Sequence, residues 1–229
     1  MAITVAAAKA AITTSLGGAP EVLDTVTVLN AAGRELVQSH PWNWLRRPAA
    51  DLGVTADQAY TDLPSDFGRL VSLTGTTADQ VTLVSPDEWS KFERDILDAS
   101  ETVACFFEYS DGDGPTTPRI YWNPTPSTTD ADAYRITYLA GWAEKTADND
   151  NLVLPVFLET LYWEFLFAVA RGWDEQDVAG LQPRLAPVKA GPTFMAAVEQ
   201  DTESNPVMGP ILNGGARRRG VRRIEYEVP

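Results

Sequence analysis

Apolar positions recur along this chain with two periods, and the change of period divides it. Residues 4–16 are Ala-rich and read as a first helix, stopped by Gly17-Gly18. Pro20 and Glu21 then open a second helix. In it Val22, Val26, Leu29, Ala32 (or Gly33) and Leu36 fall three or four residues apart, so one face is buried. His40-Pro41 ends it, because proline disfavours helical geometry in the residue before it. From Trp42 to about Ala143 the texture is that of short strands. Runs of β-branched and aromatic residues predict them at 69–74, 80–84, 103–109, 119–122 and 134–139. Turn clusters separate them, among them Ser110-Asp111-Gly112-Asp113-Gly114-Pro115 and Pro124-Thr125-Pro126-Ser127. Residues 134–139 alternate polar with apolar, as in a half-buried antiparallel strand. One helix interrupts this region: Ser85 is its N-cap, Pro86 its first residue, and Glu88 reaches back in a capping box. It is expected to run to about Ile96 with Trp89, Phe92 and Ile96 inward.

Pro155 starts a third long helix, to about Gly172, apolar nearly all round through Phe157, Leu158, Leu161, Tyr162, Phe165, Leu166 and Val169. Such a helix belongs at the centre of a bundle. The apolar stretch 152–170 approaches the length of a membrane span, but it contains Pro155, Glu159 and Glu164. A carboxylate at mid-bilayer costs about 3 kcal/mol, so a buried helix in a soluble protein is the reading. A fourth helix is expected over about 186–203, with Phe194, Met195 and Val198; Pro187 fits its first turn and Gly191-Pro192 delays its regular part. Beyond Asn205, the series Pro206, Gly209, Pro210, Gly214 and Gly215 opposes regular structure and leads into an arm. The fold class is therefore α+β. A helical bundle (1–41 and 152–205) carries an inserted antiparallel β domain with one short helix (42–151), and an extended C-terminal arm follows (206–229).

Charge sharpens this layout. The net charge is −14, yet residues 216–229 hold Arg217, Arg218, Arg219, Arg222 and Arg223 against Glu225 and Glu227. That is +3 on the arm, which leaves −17 on the other 215 residues. An acidic body argues against general nucleic-acid binding, and a basic tail on it is suited to an acidic surface, another copy's or a partner's. At 44% apolar the body can bury a core. The first residues lack a basic-then-apolar signal pattern, so secretion is not indicated.

Candidate chemistry is thin. The single cysteine, Cys105, excludes an internal disulfide or a Cys-based zinc cluster and reads as a small buried hydrophobe in an apolar run. The single histidine, His40, reads as a helix-terminal residue meeting exposed carbonyls. Asp111-Gly112-Asp113-Gly114 lacks the third spaced acid and the closing Glu of a calcium loop and reads as a hairpin turn. Asp148-Asn149-Asp150-Asn151 is expected to cap the third helix. Glu159 and Glu164 lie five residues apart, off a shared helical face, which opposes a glycosidase-like pair. Core packing accounts for most of the seven tryptophans, with one or two left as interface anchors. No catalytic residue, cofactor or metal is assigned.

Four segments together resemble the head-to-tail adaptor (connector) proteins of tailed bacteriophages, including the tubular-tail adaptors of short-tailed phages. They are Leu29-Asn30-Ala31-Ala32-Gly33-Arg34-Glu35-Leu36 running into Trp42-Asn43-Trp44; Leu63-Pro64-Ser65-Asp66-Phe67-Gly68-Arg69-Leu70; Pro118-Arg119-Ile120-Tyr121-Trp122-Asn123-Pro124 followed by Tyr134-Arg135-Ile136-Thr137-Tyr138; and Leu154-Pro155-Val156-Phe157-Leu158-Glu159-Thr160-Leu161. They keep the family's order over roughly residues 25–175. The resemblance implies a non-enzymatic structural subunit of the virion, located at the head–tail interface and in the host cytoplasm during assembly. It implies a homo-oligomeric ring, usually of twelve, beneath the portal, with portal and tail (nozzle or tail-tube) proteins as partners. DNA would pass through without specific binding, and no membrane is involved. Its C-terminal segment would dock on the portal. Arg217, Arg218, Arg219, Arg222, Arg223 and Tyr226 are the candidate docking residues here, chosen from charge. Three other readings stay open: another neck, head-completion or tail protein; a nucleic-acid binder using the arginine arm; and a hydrolase resting on the acidic loops.

Overall fold

A computed structural model describes residues 3–18, 24–75, 81–92, 102–109, 117–174 and 178–203. In chain order its helices are α1 (Val5–Ser15), α2 (Thr25–Ser39), α3 (Pro86–Phe92), α4 (Val156–Asp174), α5 (Val178–Lys189) and α6 (Pro192–Glu203). Its strands are β1 (Arg46–Val54), β2 (Tyr60–Asp62), β3 (Phe67–Gly75), β4 (Val81–Val84), β5 (Thr102–Tyr109), β6 (Thr117–Asn123) and β7 (Asp130–Ala140). This is the expected α+β fold. Contacts gather into two compact units: a helical one, from the described residues up to Trp44 and from Trp142 onward, and a β-rich one, Leu45–Gly141.

In the helical unit α4 is central, touching α1, α2, α5 and α6. Leu158, Leu161, Tyr162, Phe165, Leu166 and Val169 are fully buried along it, as its all-round apolarity requires. The Tyr162 hydroxyl donates to the carbonyl of Leu29 (3.1 Å), so the one polar atom on that surface has a partner. Two helix starts differ from expectation. The second helix begins at Thr25, not at Pro20, because Asp24 is in extended conformation and its carboxylate accepts the Val26 N–H (3.0 Å). Its buried face is consequently Val28, Leu29, Ala32 and Leu36, with Val26 only half-buried. Val22 lies outside the described residues. Asp148-Asn149-Asp150-Asn151 caps the first helix, not the third. The Asp150 and Asp148 carbonyls accept the Val5 and Ala6 N–H groups (3.0 and 3.1 Å), Thr4 Oγ1 accepts that of Ala7 (3.1 Å), and Lys9 pairs with Asp148 (2.8 Å). Four orphan donors open every helix, and here a loop distant in sequence satisfies two of them.

His40 ends α2 as expected, in extended conformation before Pro41. The expected single helix over 186–203 is two, α5 and α6, broken at Ala190-Gly191. Both Pro183 and Pro187 lie inside α5; in α6 Met195 is exposed and Ala197 and Asp201 are buried.

The β unit holds two sheets, ordered β1-β7-β3 and β2-β6-β5-β4. All pairs are antiparallel except β4 with β5, which run parallel. That departs from the expected all-antiparallel insertion. A helix-bearing connection containing α3 separates β4 from β5, the kind of crossover that parallel neighbours need. The sheets share a core of Leu52, Val54, Leu63, Ala104, Ile120, Trp122, Ile136 and Tyr138. Cys105 is fully buried beside Val103 and Trp89, as expected of it. The Ser85 hydroxyl and N–H both donate to Glu88 Oε2 (3.1 and 3.4 Å), so Glu88 reaches back to the start of α3 as expected. Ile96 and residues 110–116, with the expected hairpin turn, lie outside the described residues. Strands β1 and β2 are additions that the sequence pattern did not predict.

Candidate functional site

All six candidate docking residues, Arg217, Arg218, Arg219, Arg222, Arg223 and Tyr226, lie outside the described residues. What is described is the root of the arm, the last turns of α6, and the contacts that fix it. Asp201 is 1% exposed, and both its carboxylate oxygens accept the backbone N–H of Asn43 (3.1 and 3.0 Å). Asn43 Nδ2 donates in return to the Asp201 carbonyl (3.2 Å). This carboxylate stands at the start of a short 3-10 turn, Asn43–Leu45, where unpaired N–H groups favour negative charge. His40 Nε2 is 4.0 Å from Asp201 Oδ2. Burial pushes the His40 imidazole below its ordinary pKa, against the pull of Asp201. Trp42 is fully buried between the His40 ring (4.7 Å) and the Phe194 ring (5.9 Å), and its Nε1 donates to the Leu36 carbonyl (2.8 Å). Phe194 and Asp201, seven residues apart on one face of α6, thus pin the helix that precedes the arm onto residues 40–43.

Two of the four diagnostic segments have a physical reason in this unit and the next. In the first, Asn30 is 3% exposed. Its Oδ1 accepts from Trp142 Nε1 and from the Lys145 N–H (3.0 Å each), and its Nδ2 donates to the Lys145 carbonyl (2.9 Å). Gly33, one turn on, makes room for that indole: a Cβ there would sit 2.1 Å from Trp142 Cε2. In the second, Asp66 joins three strands just before β3. It accepts from Arg47 Nε of β1 (3.0 Å) and from the Tyr138 hydroxyl of β7 (2.7 Å), and its carbonyl accepts the Gly141 N–H (2.8 Å). A Cβ on Gly68 would lie 2.8 Å from the Gly141 nitrogen. Burial pushes the Asp66 carboxyl up, but donation from Tyr138 and Arg47 outweighs it and holds it below the usual range. Burial, and after it the same Asp66 contact, push Tyr138 up to about 12.

Sequence reading assigned no role to Asn30, Asp66 or Asp201. The available signal was a polar residue on an otherwise apolar stripe, which must find partners when buried.

Asp51, Asp130 and Asp132 crowd one end of the β1–β7 pair, and hydrogen bonding to Asp130, together with the charges of Asp130 and Asp51, pushes Asp132 up. Several cations are committed internally: Lys9 to Asp148, Arg34 to Glu144, Lys189 to Glu35, Arg119 to Asp62 and Arg135 to Asp51. Among the described residues no three of His, Cys, Asp and Glu converge to hold a metal, and no helix is long and apolar enough to cross a membrane. Burial pushes the Cys105 thiol up, away from the reactive thiolate.

No curated protein matches the chain in sequence. The family model described as SU10 adaptor protein matches residues 3–201, from the strand-like residues before α1 to the carboxylate that pins α6. The chain belongs to the SU10 adaptor protein family, phage proteins with a structural, adaptor role.

Proposed function

We propose that this chain is a subunit of the phage head-to-tail connector, forming a ring beneath the portal that joins capsid to tail and lets DNA pass. The family match over residues 3–201 carries the reading. The charge division adds its detail. Twelve copies at −14 each would place −168 around a channel, and like charge keeps a polyanion from adhering within about a Debye length of ~8 Å. The arm at +3 is the part suited to an acidic partner, and residues 206–229 dock on the portal, with Arg217, Arg218, Arg219, Arg222, Arg223 and Tyr226 as its contacts. Tail proteins meet the opposite side. Nothing in this role requires catalysis or a cofactor.

Deletion of 206–229 tests it. The truncated chain should keep its circular-dichroism spectrum and lose capture by immobilised portal. Unchanged capture would sink the docking role. Particle images of the chain bound to portal should show twelve copies; a different symmetry, or attachment elsewhere in the neck, would replace the ring reading.

A further inference from the structure

Each sheet of the β unit ends in two strands that have a neighbour on one side only: β1 and β3 in one, β2 and β4 in the other. Such edges present N–H and C=O groups that can pair with another extended chain, and proteins blunt them with proline, charge, bulges or shortness. On the flank where β1 touches β2 they are blunted. There β1 carries Pro48 and two register shifts, and β2 is three residues long. On the other flank β3 touches β4. Strand β4, Val81–Val84, has no proline, no charge and an unbroken register with β5. Among the described residues, the two exposed large apolar side chains of the β unit both sit on this flank, Val71 (41%) on β3 and Leu83 (48%) on β4. Charge divides the same two edges. Arg69 on β3 is exposed and makes no ion pair among the described residues, whereas β4 runs into the acidic first turn of α3, where Asp87 and Glu88 are exposed.

These two edges complement each other. Set antiparallel with Val71 opposite Leu83, β3 of one copy brings Arg69 opposite Ser85 of another, with Asp87 a diagonal neighbour within reach of a long side chain. A parallel setting of the same pair would put Arg69 opposite Val81, at the end of β4 away from the acids. Like edges joined to each other would leave Arg69 without an acid. Because β3 and β4 lie on one flank, a two-fold axis makes the contact twice, β3 of each copy meeting β4 of the other. Both open edges are then used, and the flank has none left for a third chain.

We infer that the free protein forms a two-fold dimer through this flank, each copy's β3 adding to the other's β4. The pairing belongs to the free protein, goes beyond the ring reading and stands or falls apart from it. It covers the unblunted edges that would otherwise recruit further chains without limit.

Sedimentation velocity on the full chain at micromolar concentration should give the mass of two chains; the mass of one chain overturns the inference. Arg69→Glu should weaken the dimer about tenfold, and combining it with Asp87→Lys should restore association, which a misfolded variant would not do. Disulfides then locate the contact. Val71→Cys chains mixed with Leu83→Cys chains should oxidise to a covalent pair of chains, while neither variant alone should, since each new thiol faces the other position and the native Cys105 is fully buried. A disulfide formed in either variant alone, none in the mixture, or association indifferent to the charge swap each overturns the inference.

Discussion

In the helical unit the key polar side chains, Asn30 and Asp201, are 3% and 1% exposed and meet mostly backbone groups and an indole. In the β unit the corresponding knot is Asp66 with Arg47, both 43% exposed at the side chain, tied to Tyr138. Burial decides how each behaves. A buried group stripped of its partner costs about 1–3 kcal/mol, while an exposed ion pair is worth about 0–1 kcal/mol and weakens with salt. The buried contacts of Asn30 and Asp201 are thus indifferent to salt, whereas the Asp66 knot answers to solvent conditions.

The largest effect expected is on the helical side. Phe165→Ala empties the middle of α4 and should cost about 3–5 kcal/mol in a denaturant titration of the helical signal. A loss under about 1 kcal/mol would show that α4 is not the centre. Asn30→Ala comes next: it leaves Trp142 Nε1 and the Lys145 amide without partners and should cost about 3 kcal/mol, unaltered between 0.05 and 0.5 M salt. Salt sensitivity there would erase the contrast between the units. Gly33→Ala drives a methyl into the same indole and should cost about 2 kcal/mol, with a shifted tryptophan emission; a neutral result would mean Trp142 moves freely.

The strand side should respond to pH. Asp66 has a lowered pKa when folded, so its contribution is present above the usual carboxylate value and is lost as pH falls through the folded value. Tyr138 is raised to about 12, so its contribution is complete below about 10 and lost as pH rises through about 12. Hydrogen exchange in β1, β3 and β7 should therefore quicken at both extremes, and Tyr138→Phe should flatten the response. Equal quickening in α2 and α4 would merge the two behaviours. Smallest of all, Arg135→Ala at the exposed Asp51 pair should change stability by under about 0.5 kcal/mol.

Helices with a continuous apolar stripe and a stop signal were legible in the sequence, as α2, α4 and its ending at Gly172-Trp173-Asp174 attest, and so were the strands rich in β-branched and aromatic residues. What failed to read has specific causes. Strand β1 contains Pro48 and Gly53, which argue against a strand, but it is an edge strand and Pro48 falls at a register shift between Arg47 and Ala50, where a missing N–H does no harm. Strand β2 is three residues long, too short for a period. The Asp148 loop was assigned to its neighbour in sequence, whereas its carbonyls serve α1, a partner only the fold supplies. Asp201 carried no signal of its own, because its partner Asn43 lies far away along the chain. Local pattern carries elements, and long-range pairing carries the knots.

The β unit is one unbroken stretch, while the helical unit is assembled from residues before and after it. Synthesis therefore delivers α1 and α2 first, with Leu29, Leu36 and Trp42 uncovered, and supplies α4 and α6 only after every strand has been made. At roughly 5–20 residues per second the early helices wait several seconds for their cover. The strands close first, the helices last, and the nascent chain is most exposed to aggregation in the interval between them.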